Sequence, residues 1–415
     1  MNNNLKRKRY PQIRFKGFNN DWEQRKLKDF GTATGGTSIE SEFYDDGIYK
    51  VISIGSYSEQ SKYNDQGIRA IHSDKTKVRV LNKDDLTIIL NDKTASGRII
   101  GRALLIDKSG EYVYNQRTER IETDTKKYTA NFLYQLLNAP NIRSKIIKQS
   151  QGNTQIFVNW TAIQNTEYDV PNKAEQIKLA RLLDNIDNLI TLHQNKHDKL
   201  VEIKKSLLEK MFPKNNKKIP EIRFKGFTDN WKQHKLDELG IIQTGNTPST
   251  VKKEYYSNTG IQWVTPTDIT DNVIRTTERK LSRIGAKVGR IVPPNTILVT
   301  CIASIGKNAI VTEKSAFNQQ INSLTPYFEK HNPYFLLADS INWSNTMKKE
   351  AGGLTFQIVN KSQFSKIETK VPKEKQEEEK IGVLFKTIDK LVTLYQHNLI
   401  NLINLKKTLL RKMFI

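Results

Sequence analysis

The side chains best suited to recognising a polar target lie in a few short segments. NDKTASGRIIGR carries Lys93, Ser96, Arg98 and Arg102 around glycines, YNQRTERI carries Asn115, Gln116 and Arg117, and QGNTQIFVN carries Gln151, Asn153 and Thr154. Further along, SIGKN carries Ser304 and Lys307, FNQQINSL carries Asn318, Gln319 and Gln320, and GGLTFQIVNK carries Thr355, Gln357 and Lys361. Arginine and lysine grip phosphates and guanine, asparagine and glutamine pair with adenine, and serine and threonine serve either. These positions are the candidate DNA contacts.

Catalytic groupings are weaker. HNPYF (His331 to Phe335) has one proline where an adenine-methylase tetrapeptide needs two, and NPYFLLADSIN reads as a helix with Pro333 in its first turn. DFGTATGG (Asp29 to Gly36) is glycine-rich, but no strand is expected before it and no βαβ unit after it, as a nucleotide site requires. SIGKN lacks the upstream glycine and the following Ser or Thr of a phosphate-binding loop. Asp84, Asp85 and Asp92 beside Lys93 come nearest to a nuclease carboxylate cluster, yet KDDL reads as a turn before a strand. The single cysteine, Cys301, sits in TILVTCIASIG as a buried strand residue, and six scattered histidines offer no metal-binding spacing. No catalytic residue and no metal site are expected.

Composition points the same way. Lys and Arg number 67 against 44 Asp and Glu, a net charge of +23, and an excess of that size attracts polyanions. No run reaches the length of a membrane span, and MNNNLKRKRY lacks the apolar core of a secretory signal, so a cytoplasmic location is expected. Lys6, Arg7, Lys8 and Arg9 read as a solubilising basic tail.

The elements that position these residues follow from an internal duplication. PQIRFKGFNNDWEQRKL from Pro11 returns as PEIRFKGFTDNWKQHKL from Pro220, with 11 of 17 positions identical. IDNLITLHQNKHDKLVEIKKSLLEKMF from Ile186 returns from Ile388 with 14 of 27 identical. The recurring Arg14, Phe15, Gly17, Phe18 and Trp22, with Arg223, Phe224, Gly226, Phe227 and Trp231, are too constant for a target-reading surface and belong to a common frame or to partner docking.

Each copy carries a heptad stripe. The first runs through Leu179, Leu182, Ile186, Leu189, His193, Lys196, Leu200, Ile203 and Leu207, and the second through Ile381, Leu384, Ile388, Leu391, Tyr395, Asn398, Leu402, Leu405 and Leu409. The two stripes are expected to pair with each other. The pairing is assigned to Leu182, Ile186, Leu189, His193 and Leu200 against Leu384, Ile388, Leu391, Tyr395 and Leu402. The polar middles would fix one antiparallel register, and a helix from Leu179 to Phe212 would span about 50 Å.

Between these parts lie two α/β regions with β-branched runs: GIYKVISIGSY, LTIILND and RALLID in the first, and IQWVTP, TILVTCIA and NAIVTE in the second. They share only islands: TGGTS (Thr34) with TGNTPS (Thr244), YNQRTERI with FNQQINSL, and QGNTQIFVN with GGLTFQIVN. The boundaries read as 1–22 for a basic tail and repeat motif, 23–166 for the first α/β region and 167–213 for a helical spacer. A linker with the second repeat motif follows at 214–231, then the second α/β region at 232–369 and the second spacer at 370–415.

VPNKAEQIKLARLLDNIDNLIT from Val170, QGNTQIFVN, the TGGTS and TGNTPS turns and the duplicated layout resemble the specificity subunits of type I restriction-modification systems. In the second copy, VPKEKQEEEKIGVLF carries an extra residue and sets Glu377 to Glu379 against Gln176 to Lys178. The resemblance implies a non-catalytic chain with two mixed α/β target recognition domains, separated by two long helices packed as an antiparallel coiled coil, in a pseudo-twofold repeat. Each domain would read half of a bipartite site on double-stranded DNA. Two methyltransferase subunits would dock on the repeated regions, with two ATP-dependent translocase and nuclease subunits in the full complex. S-adenosylmethionine, ATP and Mg²⁺ would belong to those partners. The alternative, from another class, is a helical scaffold for partner proteins that touches nucleic acid only nonspecifically.

Overall fold

The duplicated apolar stripes become the two longest elements. In the computed structural model, which describes residues 9–214, 217–351 and 358–415, Lys173–Lys210 and Lys375–Lys412 are continuous α-helices of 38 residues each. The first starts where Asn172 Oδ1 accepts the Glu175 amide at 3.0 Å, satisfying one of the free N–H groups of the opening turn. It stops just ahead of Pro213.

The chain forms two compact units, one of residues up to His193 with Asn398–Ile415 and the other Gln194–His397. Each long helix therefore changes unit along its length, so each unit holds the opening of one helix and the close of the other. In the first unit Leu179, Ala180 and Leu183 share a core with Leu410, Met413 and Phe414, while Asp187 takes Lys406 Nζ at 2.7 Å. In the second, Ile381 and Phe385 share a core with Met211 and Phe212, Lys204 meets Asp389 at 2.6 Å, and Lys196 lies over the Tyr395 ring. Rising numbers on one helix meet falling numbers on the other, so the helices pack antiparallel in both units.

The apolar stripe is used unevenly. Ile186 and Ile388 are buried, and Leu182, His193, Leu200, Leu384, Tyr395 and Leu402 are half-buried. Leu189 and Leu391, expected in the pairing, are instead 44% and 36% exposed. Asp187 and Asp389 each take a lysine of the facing helix, Lys406 and Lys204 respectively.

The first unit carries an antiparallel four-stranded sheet in the order Gly31–Gly35, Thr118–Thr123, Leu86–Ile89, Ala103–Leu105, and a three-stranded sheet of Arg69–Ala70, Tyr49–Ile52 and Tyr112–Tyr114. The second repeats the larger sheet as Gly240–Thr244, Ile321–Pro326, Ile297–Thr300 and Asn308–Val311, with Val273–Ile274 added at its edge. Helices cover one face: Ala130–Asn138 and Pro140–Ile147, broken at the proline, in the first unit, and the unbroken Pro333–Ala351 in the second. Cys301 lies just past its strand, 3% exposed.

A short strand pair closes each unit. Glu23–Lys26 pairs with Glu167–Val170, and Lys232–Lys235 with Glu368–Val371. Residues 167–170 are thus a strand rather than the start of the helical segment. A strand also precedes Asp29, contrary to expectation, but Gly31 and Gly35 lie within the strand Gly31–Gly35 and Gly36 just past it, with no α-helix following closely.

The repeated motif locks this frame. Arg14 binds Glu175 through two hydrogen bonds of 2.7 and 2.8 Å, and Arg223 binds Glu377 with the same pair of distances. Ile13 N–H donates to Lys412 O and Ile222 N–H to Lys210 O, satisfying carbonyls at the closing turn of a long helix. Trp22 packs on Phe414, and Trp231 on Phe212. The clasps correct the helix alignment by one residue: Glu377 matches Glu175, so Glu378 stands where Gln176 does. Accordingly, Gln176 accepts the Thr129 amide and Glu378 the Asn332 amide.

Candidate nucleic-acid interface

The candidate contacts of the first unit converge at the end of the strand Leu86–Ile89. Leu90 N–H donates to Arg117 O at 2.9 Å, Val158 N–H donates to Leu90 O at 2.8 Å, and Ile156 pairs with Asp92. One stretch of backbone therefore joins the 93–102 loop, the 115–117 turn and the 151–157 hairpin. Lys93, Ser96, Arg98, Gln116, Arg117, Gln151, Asn153 and Thr154 are exposed there. Gly152, at φ +102, makes the hairpin turn, and a Cβ there would meet Gln155 O.

Asp92, weighed in the sequence as a nuclease acid, organises the loop instead. It is 5% exposed and accepts the Thr94 amide at 3.0 Å, the Thr94 hydroxyl at 3.1 Å and the Ile99 amide at 3.0 Å. Asp85 caps the Asn82 amide and pairs with Arg120, and Asp84 occupies a left-handed turn position. Among the described residues no group of three or more His, Cys, Asp or Glu is placed to hold a metal ion.

Two arginines hold the loop from beneath. Arg143 donates to the carbonyls of Gly97, Arg98 and Ile100. Arg102 donates to Arg98 O and Ser61 Oγ, and burial, with Arg143 nearby, pushes its guanidinium down to about 10. Arg102 is therefore half-buried and internally bonded, whereas Arg98 reaches solvent and pairs with Glu59 at 3.1 Å. Asn115, 7% exposed, turns its Oδ1 to the Arg117 amide, and Gln116 donates to Glu40.

The second unit builds the same convergence. Cys301 N–H donates to Gln320 O and Val359 N–H to Cys301 O, so Cys301 stands where Leu90 does. Asn318 is buried and bonded to Gln320, Gln319 accepts from Thr247, and Gln320 is half-buried. The loop is short: Ser304 is half-buried, its carbonyl takes the Thr300 hydroxyl at 2.5 Å, and Lys307 is exposed. Lys361 is exposed in the helix Lys361–Ser365, and Thr355 and Gln357 lie outside the described residues.

The sheets also correct the island alignment. A Cβ at Gly36 would strike Asn115 O, and one at Gly245 would strike Asn318 O, so these glycines correspond. Gly35 therefore matches Thr244, one residue away from the pairing read in the sequence.

Residues 19–202 and 228–405 both match the family described as Type I restriction modification DNA specificity domain. The chain belongs to this family. It is similar to the Type I restriction enzyme HindI specificity subunit of Haemophilus influenzae, 24% identical over 376 residues that cover 74% of this chain and 80% of that one. The MjaIX specificity subunit of Methanocaldococcus jannaschii is 30% identical over 169 residues, 39% of each chain. Among solved structures, a type I restriction-modification S subunit from M. genitalium superposes over 98% of this chain and 99% of its own, with a TM-score of 0.70 and 14% identity. A chain from a structure describing complex assembly and conformational transition of a type I system gives a TM-score of 0.50 at 15% identity, over 94% of this chain and 97% of its own. At these identities the likeness concerns fold.

The chain is thus a specificity subunit with two target recognition domains, and two domain matches leave the pure scaffold reading disfavoured. Sequence reasoning missed Arg143, the loop-organising role of Asp92, and Glu119, which is buried in the first domain. A signal for Asp92 was present, since Asp followed two residues later by Thr is a common side-chain turn. Arg143 gave none, being brought to the loop only by tertiary packing.

Proposed function

We propose that each target recognition domain reads one half of a bipartite site on double-stranded DNA and that the paired helices set the spacing between the halves. The observation that carries this reading is the shared convergence of three backbone segments, tipped with unlike side chains in the two units. A constant frame with variable tips suits two readers of different sequence. The net charge of +23 supplies phosphate attraction that carries no sequence information.

The chain acts without a catalytic centre of its own, in the cytoplasm, and no described helix is long and apolar enough to cross a membrane. Two methyltransferase subunits dock on the repeated regions around Arg14 to Trp22 and Arg223 to Trp231, and two restriction subunits with translocase and nuclease activity join the larger complex. S-adenosylmethionine, ATP and Mg²⁺ act in those partners.

The test is selection from a random duplex library by the chain co-expressed with its methyltransferase, in moderate salt to suppress nonspecific phosphate binding. Two short fixed blocks separated by a constant unspecified gap are expected, and exchanging residues 23–166 should change one block only. Unenriched binding, or one uninterrupted motif, would return the account to a scaffold.

A further inference from the structure

Glu119 is buried in the first unit, 5% exposed, and among the described residues no hydrogen bond to its carboxylate is found. It lies on Thr118–Thr123 directly opposite Gly35 on Gly31–Gly35. Directly opposed residues share one face of a sheet, and Gly35 is exposed and has no side chain to cover that face. A Cβ at Gly35 would stand 3.3 Å from Glu119 Oε2, which shows how near the acid lies to the open surface. Arg79, the cation whose charge acts on Glu119, is turned to Thr37 Oγ1 at 3.2 Å and packs over the Tyr114 ring.

The second unit shows what a satisfied version looks like. Asn322 takes the place of Glu119, and Thr244 that of Gly35. Asn322 Oδ1 accepts the Thr244 hydroxyl at 2.6 Å, and its Nδ2 donates to Cys301 Sγ at 3.1 Å. Every one of these partners is missing in the first unit, where Leu90 replaces Cys301 and Gly35 replaces Thr244. The Glu119 carboxylate thus lacks the protein donors that Asn322 has and faces the opening over Gly35, where an arriving donor can meet it. Around the opening stand Gln116 and Arg117, both exposed and part of the convergence described above.

We propose that Glu119 is a specificity-determining residue of the first target recognition domain, its carboxylate accepting a hydrogen bond from the exocyclic amine of a cytosine or adenine presented over Gly35. The inference rests on the reading of this domain as a DNA reader. The amine is the donor that a base edge offers to a carboxylate, while guanine O6 and N7 and thymine O4 are acceptors that a carboxylate repels. Burial, only partly offset by Arg79, pushes the Glu119 carboxyl up to about 7, consistent with an acid lacking its donor.

The test uses the complex with its methyltransferase and the random duplex selection described above, on the wild-type chain and on Glu119→Gln and Gly35→Thr. The threonine variant keeps the acid but supplies the hydroxyl that Thr244 supplies to Asn322, and thermal melting verifies that both variants are folded. Both are expected to relax the same single position of one block, by about tenfold in preference, and to leave the other block and the gap unchanged. A wild-type duplex whose base at that position lacks its amino group should bind the wild-type complex about tenfold more weakly and Glu119→Gln with no further loss. Folded variants that enrich the wild-type blocks unchanged would overturn the assignment while leaving the domain a DNA reader. A wild-type complex that enriches no block would overturn the reader reading itself, and the assignment with it.

Discussion

At the end of Leu86–Ile89 the first unit inserts a long basic loop, pinned by Asp92 and Arg143, whereas at the end of Ile297–Thr300 the second turns back through Ala303 and Gly306 within a few residues. Beneath these loops the units are the same: a buried arginine–glutamate clasp, a tryptophan on a phenylalanine, and a backbone bond from the strand end to Val158 or Val359. Duplicated parts that carry packing have stayed constant, and parts that face outward have diverged in length, charge and internal satisfaction. The comparison separates frame from reader residue by residue, and each half can be challenged.

The largest effects should fall on the frame and be equal in the two units. Glu175 and Glu377 have side chains 0% and 1% exposed, and removal of the arginine leaves a buried carboxylate without its partner. Arg14→Ala and Arg223→Ala should each destabilise their own unit by about 3–5 kcal/mol, read by thermal melting or hydrogen exchange. If one proves silent, the claim of a shared frame breaks.

A smaller and one-sided effect is expected at Asp92. Asp92→Ala leaves the buried acceptor's three donors, two part-buried amides and a hydroxyl, without their partner, a local cost of about 1–3 kcal/mol, and the loop bearing Lys93, Ser96 and Arg98 loses its anchor. Discrimination in the first block should fall, while discrimination in the second block stays as it was. Equal losses in both blocks would mean that the loop belongs to the frame.

Glu119 and Asn322 give a difference visible in pH. The folded-state carboxyl of Glu119 is raised to about 7, above an unfolded value of roughly 4.3, so the folded chain holds the proton more tightly. Its contribution is therefore most favourable below the unfolded value and is lost as pH rises through about 7. Denaturant melts of the wild type against Glu119→Gln should diverge by on the order of 2 kcal/mol between pH 4 and pH 8, with the wild type relatively weaker at the higher pH. Asn322 does not titrate, so hydrogen exchange should confine the difference to the first unit. Parallel pH profiles would show that the acid finds a partner in the free chain.

Much of this was legible before any coordinates. The long helices announced themselves because a heptad stripe is local and repeated, and IRFKGF because identity over a short span needs no fold to be seen. The islands picked out Asn115 to Arg117 and Gln151 to Thr154 as shared segments without placing them together, and their alignment slipped by one at Gly35, since TG occurs in both copies and only sheet register decides which glycine meets Asn115 or Asn318. Leu189 and Leu391 were read as pairing residues because a stripe records periodicity and not how far a partner covers each of its positions. Glu119 was invisible: within TERI a glutamate beside arginines reads as a solvated strand residue, and its isolation depends on residues 84 positions upstream in sequence and on a contrast with the other unit.

The smallest expected effect concerns Ala303, the counterpart of Asp92. Ala303 holds φ +61, a left-handed conformation that costs a residue with a Cβ about 1 kcal/mol. Ala303→Gly removes that strain and adds freedom to the unfolded chain, so the net gain in stability should not exceed about 1 kcal/mol. Its value lies in what accompanies it. The short loop has no aspartate pinning its amides, and its shape rests on Ala303, Gly306 and the Thr300 hydroxyl bonded to Ser304 O. If the strained turn aims Ser304 and Lys307, a stabler Ala303→Gly chain should discriminate less well in the second block alone. If discrimination is unchanged, the short loop is positioned by Thr300, and the two units differ in how their readers are anchored as well as in what the readers present.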